Sequence, residues 1–150
     1  MSPKHILIVG GGGIGERHLR VFGRIPGVST SLCEPRLDRA QELQSRYPVK
    51  STYHDFYVPD LSLFDGVVLC TPANLHIEMA THAAKQNCPF LLEKPLSTTL
   101  EGCEELVALV EDRRLVAGVA YVFRHSQPFV DLKIALERGD IGEIRTLNLE

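Results

Sequence analysis

The chain is expected to be an α/β protein built on a doubly wound parallel sheet. Three observations predict this. Apolar, strand-like runs alternate with helical patterns along most of the chain. The first run, His5–Val9, breaks into glycines and restarts as a helix, with Gly10, Gly12 and Gly15 at the spacing G-x-G-x-x-G. Gly66–Cys70 is apolar throughout, as in a parallel strand covered on both faces.

The elements follow in order. Residues 5–9 form the first strand and 14–24 the first helix, stopped by Pro26-Gly27. Residues 28–33 form the second strand, ending at Glu34-Pro35, with Pro35 suited to the first turn of the next helix. That helix runs to about Arg46, with Leu37, Ala40 and Leu43 as its buried stripe. Residues 49–53 are a short third strand, and 54–64 hold at most one helical turn. The fourth strand ends at Thr71-Pro72, and a helix follows over 73–86. The fifth strand, 89–92, delivers Glu93-Lys94-Pro95. Thr98 and Glu101 match a capping box for a helix carrying Leu100, Cys103, Leu106, Val107 and Val110. A sixth strand covers 116–122, and a helix over 127–138 ends at Gly139. Residues 143–150 read as one more strand, an exposed edge without partners.

Each glycine of the turn has a physical task. The first permits the tight turn, the second lets a pyrophosphate approach the backbone, and the third lets the helix pack close to the strand. The free N–H groups and positive end of the helix face the phosphates. The alternative is a glycine turn with no ligand. Context favours the dinucleotide: Glu34 lies 19 residues past Gly15, near the offset of about 20 for a carboxylate on the adenosine ribose. A carboxylate there hydrogen-bonds a 2′-hydroxyl and repels a 2′-phosphate, so NAD is expected over NADP. Arg36 could still accept a phosphate.

Composition narrows the class. The 150 residues, 44% hydrophobic and 23% charged, suit an ordinary globular protein. A net charge of −3 gives no drive towards nucleic acid or acidic membranes. Cys33, Cys70, Cys88 and Cys103 are scattered, without C-x-x-C, which suits a reducing cytoplasm. No signal peptide pattern or membrane-length apolar run occurs. No metal is expected, since no Cys/His cluster has ligand spacing. A serine-nucleophile elbow and a P-loop are absent too.

Ligands of doubly wound sheets bind beyond the C-terminal strand ends, which directs attention to 10–15, 34–36, 71–76, 93–95 and 121–125. Lys94 stands at one such end. Beside a cationic nicotinamide it would release its proton more readily and could help move a substrate hydroxyl proton. The alternative is a solvated lysine capping a strand. Lys94-Pro95 could be a cis bond. His76 could reach the nicotinamide ribose or substrate, or could be a cap or packing histidine. His18 reads as structural, fixing the glycine turn.

Taken together, Gly10-x-Gly12-x-x-Gly15-x-x-His18, Thr71-Pro72-x-x-x-His76 and Glu93-Lys94-Pro95 resemble the Gfo/Idh/MocA family of oxidoreductases. Residues 121–125 and 136–144 look like its crossover into a second domain, so the resemblance implies a dinucleotide-binding Rossmann domain over 1–122 and only the start of a second α/β domain over 123–150, a crossover helix and the first strand of a truncated C-terminal domain. The resemblance implies NAD(P)-dependent hydride transfer with a sugar, cyclitol or related polyol. It implies that Lys94 and His76 are catalytic. Cofactor binding is expected from Gly10, Gly12, Gly13, Ile14, Gly15, Glu34, Arg36, Thr71, Pro72, Glu93 and Lys94. Family members usually carry a second α/β domain that supplies substrate contacts, a catalytic Asp/His pair and the oligomer interface. The chain is therefore expected to be the N-terminal part of a longer homo-oligomeric protein, binding NAD without turnover by itself. A non-catalytic NAD-binding sensor of the same fold, or a reductase of an imine or biliverdin-like compound, are the competing readings.

Overall fold

The computed structural model describes residues 2–146. Six strands form one sheet: β1 (Lys4–Val9), β2 (Val28–Cys33), β3 (Val49–Tyr53), β4 (Gly66–Leu69), β5 (Phe90–Leu92) and β6 (Ala117–Val119). Their spatial order is β3-β2-β1-β4-β5-β6, and every pairing is parallel. The helices between them are α1 (Gly13–Phe22), α2 (Leu37–Arg46), α3 (His76–Lys85) and α4 (Cys103–Asp112).

Alternation along the strands divides the core in two. Leu7, Val9, Val67, Leu69, Phe90 and Leu92 pack with Ala80, Ala83 and Ala84 of α3 and Leu106 of α4. Ile8, Leu32, Val68 and Cys70 pack on the other face with Leu19 of α1 and Leu43 of α2. Both faces are covered at β1, β4 and β5, which is why these strands read as continuous hydrophobic runs. Leu7, Ile8, Leu32 and Leu43 are fully buried; each such side chain contributes about 1.5–3 kcal/mol.

Register sets the site. Val9 lies beside Cys33 and Leu69, and Leu69 beside Leu92. The residues one step on, Gly10, Glu34, Cys70 and Glu93, therefore share one edge of the sheet. The chain runs outward from β1 towards β3, then returns to β4 on the other flank. The reversal point lies between β1 and β4, where such sheets hold ligands.

Some boundaries differ from the expectation. Pro35 precedes α2, whose N-cap is Arg36. The helix over 73–86 begins as a 3-10 turn, Ala73–Leu75. The Thr98–Glu101 capping box does not form. α4 starts at Cys103 behind Gly102, whose φ of +74° cannot continue into a helix. Leu100 is accordingly 89% exposed rather than part of the buried stripe.

The chain separates into two compact units, Met1–Ala120 and Tyr121–Glu150. The second contains a 3-10 turn, Val122–His125, and α5 (Gln127–Glu137), with the Phe123 and Phe129 rings 5.2 Å apart. The sixth strand is shorter than expected: it ends at Val119, residues 120–121 are irregular, and the 3-10 turn begins at Val122. Residues 143–146 have no regular structure, and the rest of the expected strand at 143–150 lies outside the described residues.

Candidate active site

The glycine turn leaves the C-terminal end of β1. Gly10 has φ +96°, and a Cβ there would stand 2.7 Å from the Cys70 carbonyl oxygen. A Cβ on Gly15 would fall 1.8 Å from the Gly10 carbonyl oxygen. These two glycines let α1 and β4 close against the turn. Gly12 differs: a Cβ there would meet nothing within 4 Å. It opens on a groove of about 750 Å³. Gly12 and the first turn of α1 thus offer an open backbone cradle to a diphosphate, at the positive end of the helix. That is the fit a dinucleotide requires.

Glu34 lies at the end of β2 with its carboxylate buried. Oε2 accepts the Gly11 N–H at 2.7 Å, and Oε1 accepts the Arg36 N–H at 3.0 Å and its Nε at 2.8 Å. Burial acts to raise the Glu34 pKa. The hydrogen bonds from Arg36 and Gly11 outweigh it and hold the carboxyl below its ordinary value. The Arg36 side chain is 61% exposed, and its Nη2 also donates to Oε2 at 3.3 Å.

Of the expected cofactor residues, Gly10, Gly12, Glu34, Arg36, Thr71 and Pro72 line this groove. His54, Asp55, Phe56 and Tyr57, just past β3, line it as well, with Leu75 and Met79. Leu75 falls in the 71–76 segment expected at the ligand edge; the other five lie outside every segment the sequence pointed to. His54–Tyr57 follow the C-terminal end of β3, so the rule that ligands sit beyond strand ends reaches them as well. His54 Nδ1 contacts the Glu34 carbonyl oxygen at 2.9 Å. The Tyr57 hydroxyl donates to Glu78, and burial together with that contact pushes its pKa up to about 12.

Glu93, Lys94 and His76 stand apart from that lining. Glu93 is buried at the end of β5. Its Oε1 meets His18 Nε2 at 2.9 Å, and its Oε2 accepts the Lys94 N–H at 3.3 Å. His18 therefore braces the fifth strand end rather than the glycine turn itself. Lys94 is exposed, and the Lys94–Pro95 bond is cis.

His76 has a different setting from the expected one. Its ring is buried, with Nδ1 2.8 Å from the Pro95 carbonyl oxygen and Nε2 2.9 Å from that of Thr71. Both partners are backbone carbonyls, so the ring N–H donates to one of them and the imidazole ties the fourth strand end to the fifth from a buried position, outside the groove lining.

Comparison with known proteins agrees with this geometry. The profile of the Gfo/Idh/MocA family, described as an oxidoreductase family with an NAD-binding Rossmann fold, matches residues 4–121. The chain belongs to this family. Levoglucosan dehydrogenase from Pseudarthrobacter phenanthrenivorans is 27% identical, over 96% of this chain and 40% of its own length. Myo-inositol 2-dehydrogenase from Thermotoga maritima is 26% identical, over 95% of this chain and 43% of its own length. The chain thus spans about two fifths of these relatives. Scyllo-inositol dehydrogenase from Lactobacillus casei, crystallised with NAD(H) and scyllo-inositol, superposes with a TM-score of 0.85 at 19% identity, over 95% of this chain and 43% of that one. A 3-ketoreductase from Actinomadura kijaniata, crystallised with NADP and TDP-benzene, gives 0.83 at 27%, over 96% and 45%. The Gfo/Idh/MocA domain seen here is accordingly an NAD-binding Rossmann domain. Among the described residues, no His/Cys/Asp/Glu group gathers as a metal site, and no helix is long and apolar enough to cross a membrane.

Proposed function

We propose that this chain is the cofactor-binding part of an NAD(P)-dependent oxidoreductase acting on a CH–OH group of a sugar, cyclitol or related polyol. The observation that carries the reading is Lys94. It is an exposed ammonium-bearing side chain at the end of β5, beside the buried Glu93–His18 pair and on the strand edge that also holds the glycine turn. When bound, the cofactor supplies the hydride acceptor or donor. Gly12 and the first turn of α1 would hold the diphosphate, and Glu34 the adenosine ribose. Beside the cationic nicotinamide Lys94 would give up its ammonium proton, and the neutral Nζ would then accept the substrate hydroxyl proton as the C–H bond breaks; in the reverse direction the ammonium would return it. A buried Glu34 carboxylate resists a 2′-phosphate, so NAD is preferred over NADP. The chain by itself binds cofactor without turning over a polyol.

Calorimetric titration tests the cofactor half: NAD should bind more tightly than NADP, and the reverse order would overturn the preference. The Lys94 half is read by NMR of the ¹³C-dimethylated chain. NAD should shift the Lys94 methyl signals, and an unmoved signal at saturation would remove Lys94 from the nicotinamide site. An assay of the 150-residue chain with NAD and inositols should give no reduced cofactor.

A further inference from the structure

Gly11 is held from both sides by side chains that the glycine motif does not include. Its N–H donates to Glu34 at 2.7 Å, and its carbonyl oxygen accepts from Arg39 Nε, also at 2.7 Å. Arg39 lies on α2 and is itself anchored. Nη2 donates to Glu16 on α1 and Nη1 to Glu42, each at 2.6 Å. Glu16 is fixed further by the Tyr47 hydroxyl at 2.8 Å and by Arg46 at 2.7 Å. The Arg39 side chain is only 18% exposed. Two carboxylates already match its charge.

A trans peptide plane links these contacts to the groove. In such a plane, the carbonyl of one residue and the N–H of the next point in opposite directions. With the Gly11 carbonyl captured by α2, the Gly12 N–H must point away from α2. Gly12 lines the groove, and its N–H meets no protein acceptor among the described residues. Left to itself, a run of four glycines would sample many orientations of this plane.

We propose that Arg39 is a positioning residue for the dinucleotide: it locks the Gly11–Gly12 peptide so that the Gly12 N–H faces the diphosphate. The proposal rests on NAD occupying the groove over the glycine turn. Arg39 acts here through the backbone, with its guanidinium turned to Gly11, Glu16 and Glu42 rather than to the phosphate. It raises affinity by removing an ordering cost from binding.

The test compares ligands with and without the diphosphate. Titrations of NAD, ADP and adenosine are run on the wild-type chain, Arg39→Met and Arg39→Lys. Arg39→Met should weaken NAD and ADP about tenfold, the scale of one charge-assisted hydrogen bond, and leave adenosine unchanged. Arg39→Lys, which can still donate to the Gly11 carbonyl, should recover most of the loss. An NAD affinity for Arg39→Met within about twofold of wild type, or an equal loss for adenosine, would overturn the proposal. Should Arg39→Met fail to fold by circular dichroism, the wild-type ¹⁵N–¹H spectrum decides. ADP should move the Gly12 amide proton downfield and adenosine should not; an unmoved Gly12 amide would overturn the proposal. A wild-type chain that binds neither NAD nor ADP would instead overturn the cofactor reading, and this one with it.

Discussion

His18 and Glu93 lie 75 positions apart in sequence, yet their side chains meet at 2.9 Å between Nε2 and Oε1. The contact ties α1, which opens at the glycine turn, to the strand end that carries Lys94. Removing one partner leaves a buried polar group unmatched, which costs about 1–3 kcal/mol. His18→Ala should lower stability to urea by that amount. His18→Gln, able to donate to the carboxylate, should recover part of it. Equal unfolding midpoints for wild type and His18→Ala would show that the contact contributes nothing.

Two of the motif glycines, Gly12 and Gly15, should separate stability from binding. Gly12→Ala adds a methyl to open space at φ −66°, a conformation alanine accepts, so its melting temperature should stay within about 2 °C of wild type. The same methyl occupies the cradle, so NAD affinity should fall at least about tenfold. Gly15→Ala should instead abolish cooperative folding, because its Cβ would stand 1.8 Å from the Gly10 carbonyl oxygen. Calorimetry and NAD titration of the two variants check both outcomes.

Glu34 gives a prediction at acid pH. Its folded pKa lies below the ordinary carboxyl value, so the folded state releases its proton more readily than the unfolded chain. The stability this provides is present above the unfolded pKa, near pH 4.5, and is lost as pH falls through the folded value. Glu34→Gln should therefore flatten the acid limb of stability against pH. It should also weaken NAD about tenfold or more, since a charge-assisted hydrogen bond becomes a neutral one. An unchanged NAD affinity would take Glu34 off the ribose.

The buried thiols give the opposite limb. Burial, with nearby carboxylates adding to it, raises Cys33 and Cys70 to about 12 and Cys88 to about 11. The folded state thus keeps protons that the unfolded chain gives up. Their contribution is complete below the unfolded pKa, near pH 9, and is lost as pH rises towards 11 and 12. Thermal unfolding should become easier above about pH 9, and Cys33→Ala with Cys70→Ala should reduce that slope. At about pH 8, a thiol reagent should leave these three untouched in the native chain, because they stay protonated and covered.

Much of the fold was legible because β1, β4 and β5 are short apolar runs covered on both faces. The strands that end at Gly10, Thr71 and Glu93 were readable as apolar runs, whereas the one ending at Glu34, with Ser29, Thr30 and Ser31, was readable from the turn residues that bound it. Helix starts were less legible. Thr98 and Glu101 carry capping chemistry, but the left-handed backbone at Gly102 starts the helix later, and one-dimensional spacing does not reveal that. The site divides in the same way. Gly12 and Glu34 announce themselves through a motif and a spacing. His76 has the same identity whether its nitrogens face a ligand or two carbonyls, and only the positions of Thr71 and Pro95 tell which. Tyr57 and Met79 reach the groove from ordinary-looking segments, so their part depended on tertiary placement. Arg39 reads as one more charge on a solvated helix until the Gly11 carbonyl is seen beside it.

The alternation along β1 has a consequence for what changes the chain can absorb. Leu7 and Val9 belong to one half of the interior and Ile8 to the other. Exchanging one of them for a similar aliphatic alters a single contact set. Deleting one residue between Lys4 and Val9 would send every later side chain of the strand into the wrong half and move Gly10 off the edge it shares with Glu34 and Glu93. β1 is therefore permissive to spelling and intolerant of frame. The exposed turn at 97–102 should show the reverse, accepting an inserted residue more readily than any strand of the sheet.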